Sequence, residues 1–185
     1  METLNIFSTQ VFGKQCNFDL DIMKKTCLDF AQNTDSVTVS NIGGYQGPHF
    51  TNSELEEEII QSLPKAEDKI LKDIRLSMWL NINQEEDFND LHSHAPFIGN
   101  AFSGVFYIQV PQKSGRIRFF DPRGVITSAI DQDYYNNSHR YFYVDPYENL
   151  LLIFPSWLEH SVEPSKSKLD RISVAFNIRI EYDKL

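Results

Sequence analysis

Apolar residues recur at helical steps along the first third of the chain and at every second position along most of the rest. Between Asn17 and Ala31, Leu20, Met23, Cys27 and Phe30 are three or four apart, a spacing that predicts an amphipathic helix with Asn17 or Asp19 as its cap. The stretch SNIGGYQGPHF at 40 to 50 concentrates three glycines and a proline and reads as a loop, with a tight path at Gly43 and Gly44. Ser53 and Glu56 have capping-box spacing, and Leu55, Ile59, Ile60 and Leu63 form the stripe of a second helix ending before Pro64. A third, short helix is expected over 65 to 72.

At residue 74 the period changes from 3.6 to 2. In IRLSMWLNIN, Ile74, Leu76, Met78, Leu80 and Ile82 alternate with Arg75, Ser77, Trp79, Asn81 and Asn83, which predicts a strand. Further strands are expected at 103 to 110, 115 to 120, 140 to 144, 149 to 154 and 171 to 180. The weakly patterned stretch from about 121 to 139 reads as an inserted loop of the kind that carries function. The pattern therefore predicts a mainly β protein with N-terminal helices, an α+β chain forming one domain over 1–185: a helical and loop part to about 73, then a β core over 74–185. Many short strands must hide their edges, and closing two sheets into a cupin-like jelly roll does so.

Composition narrows the function classes. A net charge of −9 repels phosphate backbones, which argues against nucleic acid as a partner. No basic leader and no bilayer-length apolar run is visible, so a soluble cytoplasmic protein is expected. Cys16 and Cys27 have neither a zinc-site spacing nor a secretory context, and are expected to be reduced structural thiols. The sequon at Asn136, Asn137 and Ser138 is expected to be idle for the same reason.

The first candidate chemistry is in NDLHSHAPF at 89 to 97. On an extended strand His92 and His94 point to the same face and could present two imidazoles to one metal ion, though a polar loop is the plainer reading of an isolated His-x-His. The second is in FPSWLEHSVEPSKSKLDRISVAFN at 154 to 177, where a late strand leads to His160 and then to Arg171. From there Arg171, Ser173, Ala175, Asn177 and Arg179 share one strand face, and Ile172, Val174, Phe176, Ile178 and Ile180 share the other. The apolar face is a packing surface. The other carries an arginine, a hydroxyl and an amide in line, equipment for gripping a carboxylate through paired charge-assisted hydrogen bonds, or else a solvent-facing polar side.

In SNIGGYQ, WLNIN, HSHAPF, SGVFYIQVP, FFDPR, FPSWLEH and RISVAFN, taken in that order over most of the chain, the sequence resembles the Fe(II)/2-oxoglutarate-dependent oxygenases, within them the family with His-x-His and Phe-Pro-Ser-Trp-Leu-x-His segments. The resemblance implies a double-stranded β-helix, in agreement with the jelly roll. It also implies His92 and His160 as metal ligands and Arg171 with Ser173 as the pair that holds the distal carboxylate of 2-oxoglutarate. His94 stands where most of the superfamily has Asp or Glu, so three neutral imidazoles would bind the metal. Three ligands still leave three adjacent positions for a chelating cosubstrate and O2, in a site one charge more positive than usual. Asp90 and Glu159 rank below His94 as ligands, and His49 and His139 lie outside the motifs.

The implied activity is a hydroxylase that uses Fe(II), 2-oxoglutarate and O2, releases succinate and CO2, and acts on a small molecule or a protein; oligomeric state is left open, with a homodimer among the options. Tyr107, Asn81 and Asn177 are expected to bind the cosubstrate with Arg171 and Ser173, Tyr107 looking into the barrel, and Trp79 is read as beside Asn81 at the cavity or else in the core. Arg123 is read either as a substrate contact or as a salt bridge to Asp121, and Tyr134 and Tyr135 as a wall of the substrate pocket. Two rivals remain: a three-histidine cupin-type dioxygenase that binds its substrate directly on the metal, and a non-catalytic metal-binding jelly roll.

Overall fold

A computed structural model of the protein describes residues 8–64, 71–94, 100–123 and 141–182. The chain runs through β1 (Phe12–Gln15), α1 (Leu20–Gln32), β2 (Asn41–Ile42), β3 (Tyr45–Gln46), α2 (Ser53–Gln61), β4 (Leu71–Asn83) and β5 (Phe88–His92). It continues through β6 (Asn100–Gln109), β7 (Ile117–Phe120), β8 (Tyr141–Val144), β9 (Leu150–Pro155), β10 (His160–Val162) and β11 (Arg171–Tyr182). Among the described residues no helix is long and apolar enough to cross a membrane.

The first two expected helices form, α1 with one of its two expected caps and α2 with its start moved by one residue. Asp19 caps α1, its carboxylate accepting from the backbone N–H groups of Asp21 and Ile22. On α2 the cap is Asn52, whose Oδ1 accepts from Leu55 N–H at 2.9 Å, so the expected capping box at Ser53 is displaced by one residue and Ser53 becomes the first helical position. The expected third helix is corrected at its end, because residues 71 and 72 are already strand; 65–70 lie outside the described residues. The glycine-rich loop contains β2 and β3, which belong to different sheets. Gly43 and Gly44 make the crossing at φ +70° and +66°, and a Cβ on Gly44 would lie 2.8 Å from the backbone oxygen of Ile82, so at Gly44 both the backbone conformation and the space call for glycine.

Two antiparallel sheets face each other as a double-stranded β-helix. The larger has the order β1-β9-β6-β11-β4-β3 and the smaller β2-β5-β10-β7-β8, so strands distant in the chain are interleaved. The long strands β11 and β4 pair in continuous register from Arg171↔Asn83 to Glu181↔Asp73. On one side of the larger sheet, Met78, Leu80, Phe106, Ile108, Ile172, Val174 and Phe176 pack under Met23 and Cys27 of α1 and Leu55 and Ile59 of α2. That is the apolar face expected for the last strand. Between the sheets, Val105, Tyr107, Ile117, Phe119, Leu150, Leu152, Phe154 and Leu158 form a second cluster. Gly104 is required where the Phe176 ring crosses the sheet, since a Cβ there would meet Phe176 Cζ at 2.2 Å and Leu152 O at 2.3 Å.

Cys16 and Cys27 are free and buried, as expected of structural thiols. Burial pushes the Cys16 thiol up to about 11 and the Cys27 thiol up to about 12.

Candidate metal centre

On the inner face of the smaller sheet, His92 of β5 pairs with His160 of β10, and His160 pairs in turn with Phe119 of β7. This register puts two imidazoles side by side with centroids 4.3 Å apart. His94 lies two residues beyond the end of β5 and is held there because its N–H donates to Ser156 O at 2.8 Å. Its ring centroid is 5.1 Å from that of His92 and 5.4 Å from that of His160, and the three candidate ligand atoms all lie within 4.8 Å of one another.

The hydrogen bonds at the far side of two rings select a tautomer. Nδ1 of His92 faces Asp90 O at 2.7 Å and Nδ1 of His160 faces Leu158 O at 2.9 Å. A carbonyl can only accept, so both protons reside on Nδ1 and each Nε2 keeps its lone pair. Burial holds His160 down to about 3 and His94 down to about 4, each helped by the neighbouring imidazole of His92, and burial also lowers His92. All three are therefore neutral near pH 7, the form that binds a metal.

The opposite wall comes from the larger sheet. Ser173 of β11 pairs with Asn81 of β4 on one side and Tyr107 of β6 on the other, so the three side chains form one row across three strands. Arg171, opposite Asn83, is only 2 % exposed. Among the described residues it makes no ion pair, its Nε has no hydrogen-bond partner, and its guanidinium carbon sits 5.1 Å from the centre of the Tyr107 ring. The Tyr107 hydroxyl, Asn81 Oδ1 and Asn83 Oδ1 are likewise buried without partners. Burial pushes the Tyr107 phenol up, and the adjacent guanidinium pulls it back. Since buried polar groups are nearly always paired, this wall leaves a cationic donor at Arg171, a hydroxyl at Tyr107 and two amide oxygens that only accept, all without partners.

A cavity of about 50 Å³ separates the two walls, lined by Trp79, Asn81, Tyr107, Arg171 and Ser173 from one sheet and by the three histidines from the other. A larger groove, about 920 Å³, runs past Arg116, Arg118 and Glu163 but has no histidine in its lining; the smaller cavity holds the candidate metal-binding cluster.

The expected site residues thus divide. His92, His94, His160, Arg171, Ser173, Tyr107 and Asn81 line one cavity, and Trp79 joins them with its ring 5.8 Å from that of His94. Asn177 shares the strand face but is absent from the lining, and its Oδ1 instead accepts from Ser103 Oγ at 2.7 Å. Asp90 and Glu159 are exposed and outside the histidine cluster, and His49 is at the surface. Arg123 pairs with Asp121 at 2.5 Å and lowers its carboxyl pKa, which favours the salt-bridge reading. Tyr134, Tyr135 and His139 lie outside the described residues. Asn83 was readable by continuing the alternation from Asn81; Ser156 was visible only as part of the FPSWLEH motif, with nothing to show that its carbonyl fixes His94.

The family described as "Putative 2OG-Fe(II) oxygenase" matches residues 77–177. The chain belongs to that family. The matched region runs from β4 to β11 and takes in all three histidines and Arg171. No curated protein matches. Solved structures of 2-oxoglutarate oxygenases share the fold at low identity. A Pseudomonas putida prolyl-4-hydroxylase is 17 % identical, with 94 % of each chain covered and a TM-score of 0.61. HygX from Streptomyces hygroscopicus, with nickel and 2-oxoglutarate bound, is 10 % identical, with 92 % of this chain and 83 % of HygX covered and a TM-score of 0.63. A prolyl hydroxylase from Trichoplax adhaerens is 12 % identical, covers 92 % and 82 %, and has a TM-score of 0.62. The fold and the histidine cluster agree with what membership of this family implies, a site for Fe(II) and 2-oxoglutarate.

Proposed function

We propose that this oxygenase hydroxylates its substrate, a small molecule or a protein, using O2 and 2-oxoglutarate, with Fe(II) held by His92, His94 and His160. The observation that carries the proposal is the buried, ion-pair-free Arg171 facing three neutral imidazoles across one cavity. The donor set fits: neutral imidazoles suit Fe(II), and a buried guanidinium fork suits a carboxylate. When bound, iron and 2-oxoglutarate together supply the oxidising chemistry, yielding succinate and CO2 and transferring one oxygen atom of O2 to a substrate C–H.

The chain's own residues position and shield. Arg171 and Ser173 grip the distal carboxylate of the cosubstrate, while the unpartnered Tyr107 hydroxyl donates beside them and Asn81, lining the same cavity, offers its amide N–H rather than its oxygen to that carboxylate. Phe119 and Phe154 pack on His160, with centroids 6.2 and 4.8 Å from its ring, and keep water from that side. Asp90 O and Leu158 O hold the Nδ1 protons, so the metal-binding nitrogens are preset.

The test is an anaerobic titration with Fe(II) and then 2-oxoglutarate, monitored for the visible charge-transfer absorption of the chelate. The proposal expects the band in the parent and its loss in His160→Ala; a parent that binds iron and gives no band contradicts it. One observation favours a second reading. The ligand set holds no carboxylate, as in a three-histidine dioxygenase that binds its organic substrate directly, and oxygen uptake indifferent to 2-oxoglutarate would establish that reading instead.

A further inference from the structure

The face of β11 that begins with Arg171 continues to Asn177, which leaves the cavity and enters a different network. Ser103 Oγ is 2.7 Å from Asn177 Oδ1 and 3.0 Å from Ser156 Oγ. A serine has one hydroxyl hydrogen, and with Oδ1 as an acceptor that hydrogen goes to Asn177, so Ser156 Oγ donates to Ser103. Ser103 and Ser156 are each only 1 % exposed, and a bond made there competes with no solvent.

Ser156 is also committed through its backbone. Its N–H donates to Ala101 O at 3.3 Å, and its carbonyl accepts the His94 N–H at 2.8 Å. Two residues on, Leu158 O accepts Nδ1 of His160. Leu158 N–H closes the turn on Pro155 O at 3.0 Å, and Glu159 O takes the Phe120 N–H at 2.9 Å. One turn, 155 to 159, therefore orients two of the three imidazoles, His94 by its main chain and His160 by its ring. β5 fixes His92 through strand pairing, but His94 lies past that strand and depends on this turn.

We propose that Asn177, Ser103 and Ser156 form a hydrogen-bond chain whose role is to position His94 against the other two histidines. This rests on the reading of the three histidines as metal ligands. Asn177 and Ser103 are thus positioning residues of the metal centre, acting through Ser156, and Asn177 lies outside the cavity lining. The chain links His94 to β11, the strand that carries Arg171, so both walls of the cavity are referenced to the same strand.

The test uses Co(II) as the probe, with affinity and visible ligand-field spectrum measured for the full-length parent, His94→Ala, Ser103→Ala, Asn177→Leu and Asn177→Asp. Loss of the chain is expected to weaken Co(II) binding about tenfold or more and to alter the spectrum in Ser103→Ala and Asn177→Leu. Asn177→Asp, which keeps the acceptor oxygen, is expected to retain the parental spectrum. If Ser103→Ala and Asn177→Leu melt earlier yet bind Co(II) with the parental affinity and spectrum, the chain is structural and the proposal falls. If His94→Ala itself leaves the spectrum unchanged, the three-histidine reading has failed, a result distinct from the previous one. Should Ser103→Ala not fold, the half-buried Asn177 pair carries the comparison alone.

Discussion

His92 and His160 are directly opposed cross-strand neighbours on β5 and β10, with ring centroids 4.3 Å apart and each Nδ1 on a backbone carbonyl. Their geometry is set by strand register, whereas that of His94 is set by a single main-chain bond to Ser156. The three imidazoles therefore differ in how firmly they are held. His160→Ala is expected to abolish Fe(II) binding, and His94→Ala to retain weakened binding; isothermal titration of the two variants with Fe(II) under anaerobic conditions measures the difference.

Arg171 is the natural test of cosubstrate binding. Its charged hydrogen bonds are each worth about 1.5 to 3 kcal/mol, so Arg171→Ala should raise the KM for 2-oxoglutarate roughly 10- to 100-fold. Arg171→Lys keeps the charge but loses the planar fork and should recover only part of that loss. Turnover of 2-oxoglutarate followed by succinate release reads both, and an unchanged KM in Arg171→Ala would remove the residue from the site.

Acid should destabilise the metal-free protein. His94 and His160 are held down to about 4 and about 3 in the fold, against an ordinary value of 6.5 once unfolded. Between those limits the unfolded chain binds more protons, so stability increases with pH across the window and is lost as pH falls below 6.5. Urea midpoints of the metal-free protein at pH 7 and pH 5 should differ in that sense, and His94→Gln should reduce the difference.

The thiols should be silent at pH 8. With Cys16 pushed up to about 11 and Cys27 up to about 12, almost no thiolate forms in the native state. Iodoacetamide at pH 8 is expected to label neither until urea unfolds the chain, as read by intact mass.

Gly104→Ala should be among the more damaging single-methyl additions. The new Cβ would collide with the Phe176 ring and with the backbone oxygen of Leu152, which cannot rotate away, and a cost of about 3 kcal/mol is expected from overpacking. Thermal unfolding monitored by circular dichroism measures it.

Long periodic segments made the architecture readable. The alternation through β4 and β11 predicted both strands and their buried face because one side packs under two helices, and the 3.6-residue spacing predicted those helices. β5 and β10 escaped notice, since they are five and three residues long, carry polar side chains and owe their extended form to the strands on either side. The cap of α2 moved because Asn52 and Ser53 are both good caps and only the Asn52 side chain reaches Leu55 N–H. At the site, the His-x-His and Arg-x-Ser spacings were legible as local motifs. The Ser156–Ser103–Asn177 chain was not, because its bonds join residues 53 and 74 apart and only folding brings them together.

The crossing at Gly43 and Gly44 ties β2 in the smaller sheet to β3 in the larger. Asn41 is thereby paired with Asn89 in the histidine-bearing sheet, and Gln46 with Asn81 on the opposite wall. The spacing between the imidazoles and the guanidinium is thus calibrated partly by a clasp upstream of residue 77, where the family match begins. A fragment trimmed to 77–177 would retain all three histidines and Arg171 yet lose the clasp that joins one sheet to the other.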